Sequence, residues 1–188
     1  LYLGNMYETL KRFDEAEAVL RQGLKMAPGH QRLHFRLGVV LDKMGDRQDS
    51  IVEMEKVIAM DPKHANALNY LGYSLAEMGI RLEEAEEFVK RALQIKPEDG
   101  YITDSLGWVY FKMGRHSEAL VWIKKALDRL PEDPLITEHL GDTYQALGRW
   151  REAQEAYERS LRLGHENPEQ LESKLQESKK KANIEGAQ

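Results

Sequence analysis

Five Leu-Gly pairs recur along this chain, at Leu3-Gly4, Leu37-Gly38, Leu71-Gly72, Leu106-Gly107 and Leu140-Gly141. The glycines are 34, 34, 35 and 34 residues apart. A fixed period of this length excludes a single layered globular domain. It specifies instead a stack of equal units, each burying its apolar face against its neighbours.

Other columns keep the same step. A small residue recurs at Ala16, Ser50, Ala85, Ala119 and Ala153. A second glycine follows the first by seven residues at Gly45, Gly79, Gly114 and Gly148, whereas the first period has Lys11 there. A proline closes four periods, at Pro28, Pro62, Pro97 and Pro131. The physical reading is a helix–turn–helix. Gly107 and Ala119 mark the close approach of two helices, where a larger group would overpack the contact at a cost of about 1–3 kcal/mol. Gly114 suits the left-handed residue that ends the first helix, and Pro131 ends the second by pushing Leu130 out of the helical region. The extra residue of the third period falls in the turn around Ile80-Arg81-Leu82, because Gly79 to Ala85 is six residues where the other steps are five.

This pattern resembles the tetratricopeptide repeat, most clearly in Tyr101 to Pro131. The resemblance implies an all-α, right-handed solenoid of about five helix–turn–helix repeats plus a C-terminal capping helix. The expected division is a solenoid over 1–165, with repeats at 1–30 (truncated), 31–64, 65–99, 100–133 and 134–165. A capping helix over 166–182 and a flexible tail over 183–188 follow. Asn167-Pro168-Glu169-Gln170 supplies the signals that start the cap. Leu171, Leu175 and Ala182 would cover the fifth repeat, and Lys179-Lys180-Lys181 would form its solvated end.

Composition agrees with an elongated, water-exposed array, at 41% hydrophobic and 31% charged residues. A net charge of −5 argues against a nucleic-acid backbone as partner, and no membrane-spanning run is visible. The absence of cysteine removes disulfides, thiol catalysis and cysteine-bound zinc. Six scattered histidines show one helix-face pair, His30 and His34, without an acidic partner in sequence, so they read as packing and loop residues. Glu83-Glu84 and Glu86-Glu87 read as acids at a helix start. No catalytic constellation, cofactor site or metal site is expected, and the chain reads as a non-enzyme.

Function is expected in the concave groove, which first helices line in the tetratricopeptide family and where a partner protein or peptide binds. The candidate groove residues are Arg36, Asn66, Asn69, Tyr70, Tyr73, Tyr101, Asp104, Trp108, Phe111, Glu138, His139 and Asp142. An aromatic middle would anchor the ligand, with Asn66 and Asn69 free to bond its backbone. A charge gradient, basic from Arg32, Arg36 and Lys43 and acidic from Asp104, Glu138 and Asp142, would orient it. A carboxylate clamp like that of chaperone-binding members is not expected. Its columns hold Asn69, Tyr73, Ser105, Leu135 and His139 in one frame, and Phe35, Val39, Tyr70, Tyr101 and Ser105 in the other, with no lysine or arginine in either. Homo-oligomerisation is the alternative expectation, and a non-catalytic part of a larger enzyme a third. The run Ala67 to Leu120 is similar to bacterial tetratricopeptide proteins of the cell envelope. That resemblance implies a periplasmic setting, with the cytoplasm as alternative.

Overall fold

The structure is a computed structural model that describes residues 1–185. Within them the chain is all helix: α1 (Tyr2–Thr9), α2 (Phe13–Met26), α3 (Gln31–Met44), α4 (Arg47–Met60), α5 (Ala65–Met78), α6 (Leu82–Ile95), α7 (Gly100–Lys112), α8 (His116–Arg129), α9 (Pro134–Ala146), α10 (Trp150–Arg162) and α11 (Pro168–Glu185). Ten helices pair as five hairpins stacked in chain order into a solenoid, and α11 packs on α10.

Local chemistry sets these boundaries. Gly114 ends the first helix of its hairpin at φ +75°, and Lys11 adopts φ +56° at the same column. Lysine pays roughly 1–2 kcal/mol for that left-handed conformation, which glycine does not. The inserted residue of the third period is absorbed by Arg81, which is left-handed at φ +50°. The corresponding residues Arg12, Asp46, Arg115 and Arg149 have φ between −92° and −81°. Residues preceding the inter-repeat prolines are extended away from the helical region, as Leu130 shows at φ −126° and ψ 66°.

The Leu-Gly column is where each hairpin closes. A Cβ at Gly107 would lie 2.6 Å from Ile123 Cγ1 and 3.3 Å from the Ala119 carbonyl oxygen. The leucine beside it points into a continuous core running from Ile51 through Leu71 and Leu106 to Ile136. A smaller cluster around Leu20, Leu37 and Leu41 joins the first two hairpins, and Tyr157, Leu171 and Leu175 seat α11 on the last.

First helices of successive hairpins touch directly, α1 with α3, α5 with α7 and α7 with α9. They therefore line the inner curve. One boundary differs from the sequence reading: α11 continues to Glu185, beyond the 166–182 assigned to the cap. Residues 183–185 are helix and not tail, and 186–188 lie outside the described residues. Lys179–Lys181 consequently precede the last helical turn; Lys179 pairs with Glu158 at 3.0 Å.

Candidate functional site

The groove is crossed by bonds between first helices, and they occupy many of the polar residues that the sequence places there. Arg36 and Lys43 on α3 reach back to Glu8 on α1, at 3.4 and 3.2 Å. Tyr70 donates its hydroxyl to Asp42 at 2.8 Å; burial and that carboxylate both raise its pKa. Trp108 Nε1 donates to Glu77 at 2.5 Å, and Lys112 sits 3.3 Å from the same carboxylate. Asp104 on α7 meets His139 Nδ1 on α9 at 2.9 Å.

The sequence predicts an open aromatic middle, and the structure corrects this in part. Trp108 is only 6% exposed. Its ring is stacked between Phe111 at 4.6 Å and His139 at 4.0 Å, so it braces the groove wall. Tyr101 is open at 59%, while Tyr73 and Phe111 are half-buried. Leu135, 44% exposed on α9, adds an apolar side chain at the same column as Tyr101.

The charge gradient is corrected more fully. Asp104 and Glu138 are buried and Asp142 is half-buried, and each is paired. Lys174 of α11 bonds Glu138 Oε1 at 2.8 Å and Asp142 Oδ2 at 2.7 Å. His165 approaches Glu138 at 2.7 Å, and Tyr157 donates to Asp142 at 2.8 Å. Burial disfavours the Glu138 carboxylate, but Lys174 and the nearby histidines more than reverse this and lower its pKa. Burial likewise opposes the Lys174 ammonium, and Asp142 with Glu138 outweighs it and raises that pKa. These charges stitch helices together, so Asp104, Glu138 and Asp142 do not form an open acidic field.

Asn66 is exposed and its Oδ1 accepts from Lys96 at 2.8 Å. Asn69 Oδ1 is buried without a partner among the described residues. His34, read as lacking an acidic partner, has one from the next helix: Nδ1 lies 2.5 Å from Glu53, and Nε2 2.7 Å from the Pro28 carbonyl oxygen. Fold proximity, and not sequence spacing, supplies it.

Many of these side chains line an open cavity of about 550 Å³ at the C-terminal end of the groove. Tyr73 and Glu77 come from α5, Trp108, Phe111 and Lys112 from α7, Leu135, His139 and Asp142 from α9, and Gln170 and Lys174 from α11. The contribution of α11 is absent from the sequence reading, although a signal existed. Tyr70, Ser105, His139 and Lys174 follow one another at 35, 34 and 35 residues, so extending the repeat register into the cap places Lys174 in the groove.

Comparison with known proteins agrees with this architecture. A family model described as tetratricopeptide repeat matches residues 9–71 and 110–176. The chain is 33% identical over 115 residues to the TPR repeat-containing protein PA4667 of Pseudomonas aeruginosa, covering 60% of this chain and 20% of that one. It is 34% identical over 125 residues to the protein O-mannosyl-transferase Tmtc1 of Drosophila melanogaster, covering 64% and 15%. The matched stretch thus spans a fifth or less of these relatives. A thermophilic TPR protein of Thermus thermophilus superposes with a TM-score of 0.77 at 24% identity, over 95% of this chain and 96% of that one; this likeness concerns the fold alone. The period, the paired helices and the family match agree: the chain belongs to the tetratricopeptide repeat family.

Proposed function

We propose that this chain is a non-catalytic protein–protein interaction scaffold that holds a segment of a partner protein in its concave groove. The occupied half is the C-terminal one, formed by α5, α7, α9 and α11. The observation that carries this reading is the cavity lined by Tyr73, Phe111 and Leu135, with Tyr101 exposed on the same groove face. Partly accessible aromatic and apolar side chains at a concavity are the kind of surface on which interface energy concentrates. The remaining groove charges are bonded to one another, which lets the surface hold its shape before a partner arrives and reduces the ordering cost of binding.

The test compares partner capture by wild-type protein, a Tyr101→Ala/Leu135→Ala variant and a Val52→Ala/Val121→Ala variant. The last pair is exposed on second helices, α4 and α8. A partner retained by the wild type and the second variant but lost by the first supports the groove. Retention by the groove variant, with light scattering showing equal oligomeric state, would place binding elsewhere. Trp108→Ala is a poor probe because it removes a buried brace.

A further inference from the structure

One column of the repeat ties each first helix back to the one before it. Arg36 on α3 reaches Glu8 on α1, Tyr70 on α5 donates to Asp42 on α3, and His139 on α9 meets Asp104 on α7. Ser105 holds this column on α7 and donates instead to the Tyr101 carbonyl oxygen. The next position in the register is Lys174 on α11, 35 residues beyond His139. It follows the same rule: its Nζ bonds Glu138 Oε1 at 2.8 Å and the two Asp142 oxygens at 2.8 and 2.7 Å, all on α9. In this column α11 behaves as a further first helix and faces the groove.

The residue at this column decides what charge the step leaves behind. Tyr70 gives Asp42 a neutral hydroxyl, whereas Lys174 gives its two carboxylates a cation. Glu138 and Asp142 lie one turn apart on α9, where like charges repel, and both line the cavity. Their side chains are 10% and 12% exposed, so salt screens them weakly. Their other bonds are to the Tyr157 hydroxyl, on Asp142, and the His165 imidazole, on Glu138. The third acid of the lining, Glu77, is paired separately with Trp108 and Lys112.

The seat of α11 does not depend on this lysine. Leu171 and Leu175 are 0% and 6% exposed in a cluster with Tyr157. Lys174 can therefore be exchanged while the helix keeps its apolar contact with α10.

We propose that Lys174 is a specificity-determining residue of the groove. From the cap helix it cancels the carboxylates of Glu138 and Asp142, and so removes the pull they would exert on a lysine or arginine of the bound segment. This rests on the groove-binding function proposed above and concerns the same cavity.

The experiment selects random dodecapeptides on phage in parallel against four proteins: wild type, Lys174→Met, Lys174→Arg and Glu138→Gln/Asp142→Asn. Urea melts confirm that each is folded, and affinities of the synthetic winners are then measured. Winners on Lys174→Met are expected to share a lysine or arginine at one position. Exchanging it for glutamine should cost about tenfold or more on that variant, the worth of a hydrogen bond to a charged group, and less than about twofold on the wild type. Lys174→Arg should select as the wild type does. Glu138→Gln/Asp142→Asn leaves Lys174 without its carboxylates and should shift the shared position to aspartate or glutamate, which tests the proposal even if Lys174→Met does not fold. Pools of the same charge on all four proteins, or a loss on Lys174→Met that is equal for every peptide, would overturn the specificity role. Wild-type winners that already share a lysine or arginine would do the same. In each of these cases the groove function stands if the peptides are lost on Tyr101→Ala/Leu135→Ala. Winners that bind Tyr101→Ala/Leu135→Ala undiminished, or no winners at all, would overturn both.

Discussion

α1 and α7 occupy the same place in the repeat, and the chain gives them opposite surroundings. α7 lies between α5, α6, α8 and α9, and ten of its thirteen residues are buried. α1 touches α2 and α3; only Gly4 is buried, and Tyr2 stays 81% exposed. The Leu-Gly signature is identical in both, so what separates them is the number of neighbouring helices, not the motif. Stability in such arrays is a sum of unit and interface terms. Substitutions at matched columns should therefore cost more in α7 than in α1.

The largest difference is expected for the cross-groove ion pairs. Asp104→Ala strands the buried His139 and should cost about 3–5 kcal/mol. Glu8→Ala removes an acid whose partners Arg36 and Lys43 are 40% and 46% exposed, and should cost less than about 1 kcal/mol. Urea melts measure both. Equal losses would refute the comparison.

The glycine column gives a second contrast. A Cβ at Gly107 would lie 3.0 Å from the Ile123 backbone nitrogen, which cannot swing away, whereas at Gly4 its nearest neighbours are the tip atoms of Leu20. Gly107→Ala is expected to destabilise by about 1–3 kcal/mol through overpacking. Gly4→Ala should be near neutral, because Leu20 can shift and alanine gains about 1 kcal/mol in helix propensity. Hydrogen exchange at α7 and α1 amides resolves the two effects locally.

Titration sharpens the comparison. Because the folded-state pKa of His139 is raised, its contribution to stability is fully present below the unfolded histidine value of about 6.5. That contribution disappears as pH rises through the folded value. Wild-type stability should thus fall as pH rises above about 6.5, and His139→Gln should flatten that part of the profile. A fall of unchanged size in the variant would assign the effect to other groups.

The smallest effect concerns the turn column. Lys11→Gly should stabilise the first hairpin by up to about 1 kcal/mol by relieving the left-handed lysine. Gly114→Lys should do the reverse in the fourth hairpin. Thermal melts with opposite shifts would bear this out.

The fold was legible because each repeat column has a local cause. Gly107 and Ala119 announce a close helix contact, and Gly114 and Pro131 announce where helices stop. The groove was legible only as positions. That Trp108 stacks on His139, or that Lys174 neutralises Glu138 and Asp142, depends on pairs about 31 to 36 residues apart. Those pairs form only when neighbouring repeats stack. Sequence periodicity places Asp104 and His139 on the same face; it does not show that they meet each other there.

The most direct test of the account places a photo-crosslinking amino acid at Tyr101, on α7 in the groove, and separately at Val121, on α8. Both side chains are more than half exposed, so both probes are presented to solvent. The account predicts that a partner protein crosslinks from position 101, that Leu135→Ala reduces the adduct, and that position 121 gives none. An adduct from position 121 alone, or one from 101 that Leu135→Ala leaves unchanged, would contradict a groove-binding scaffold.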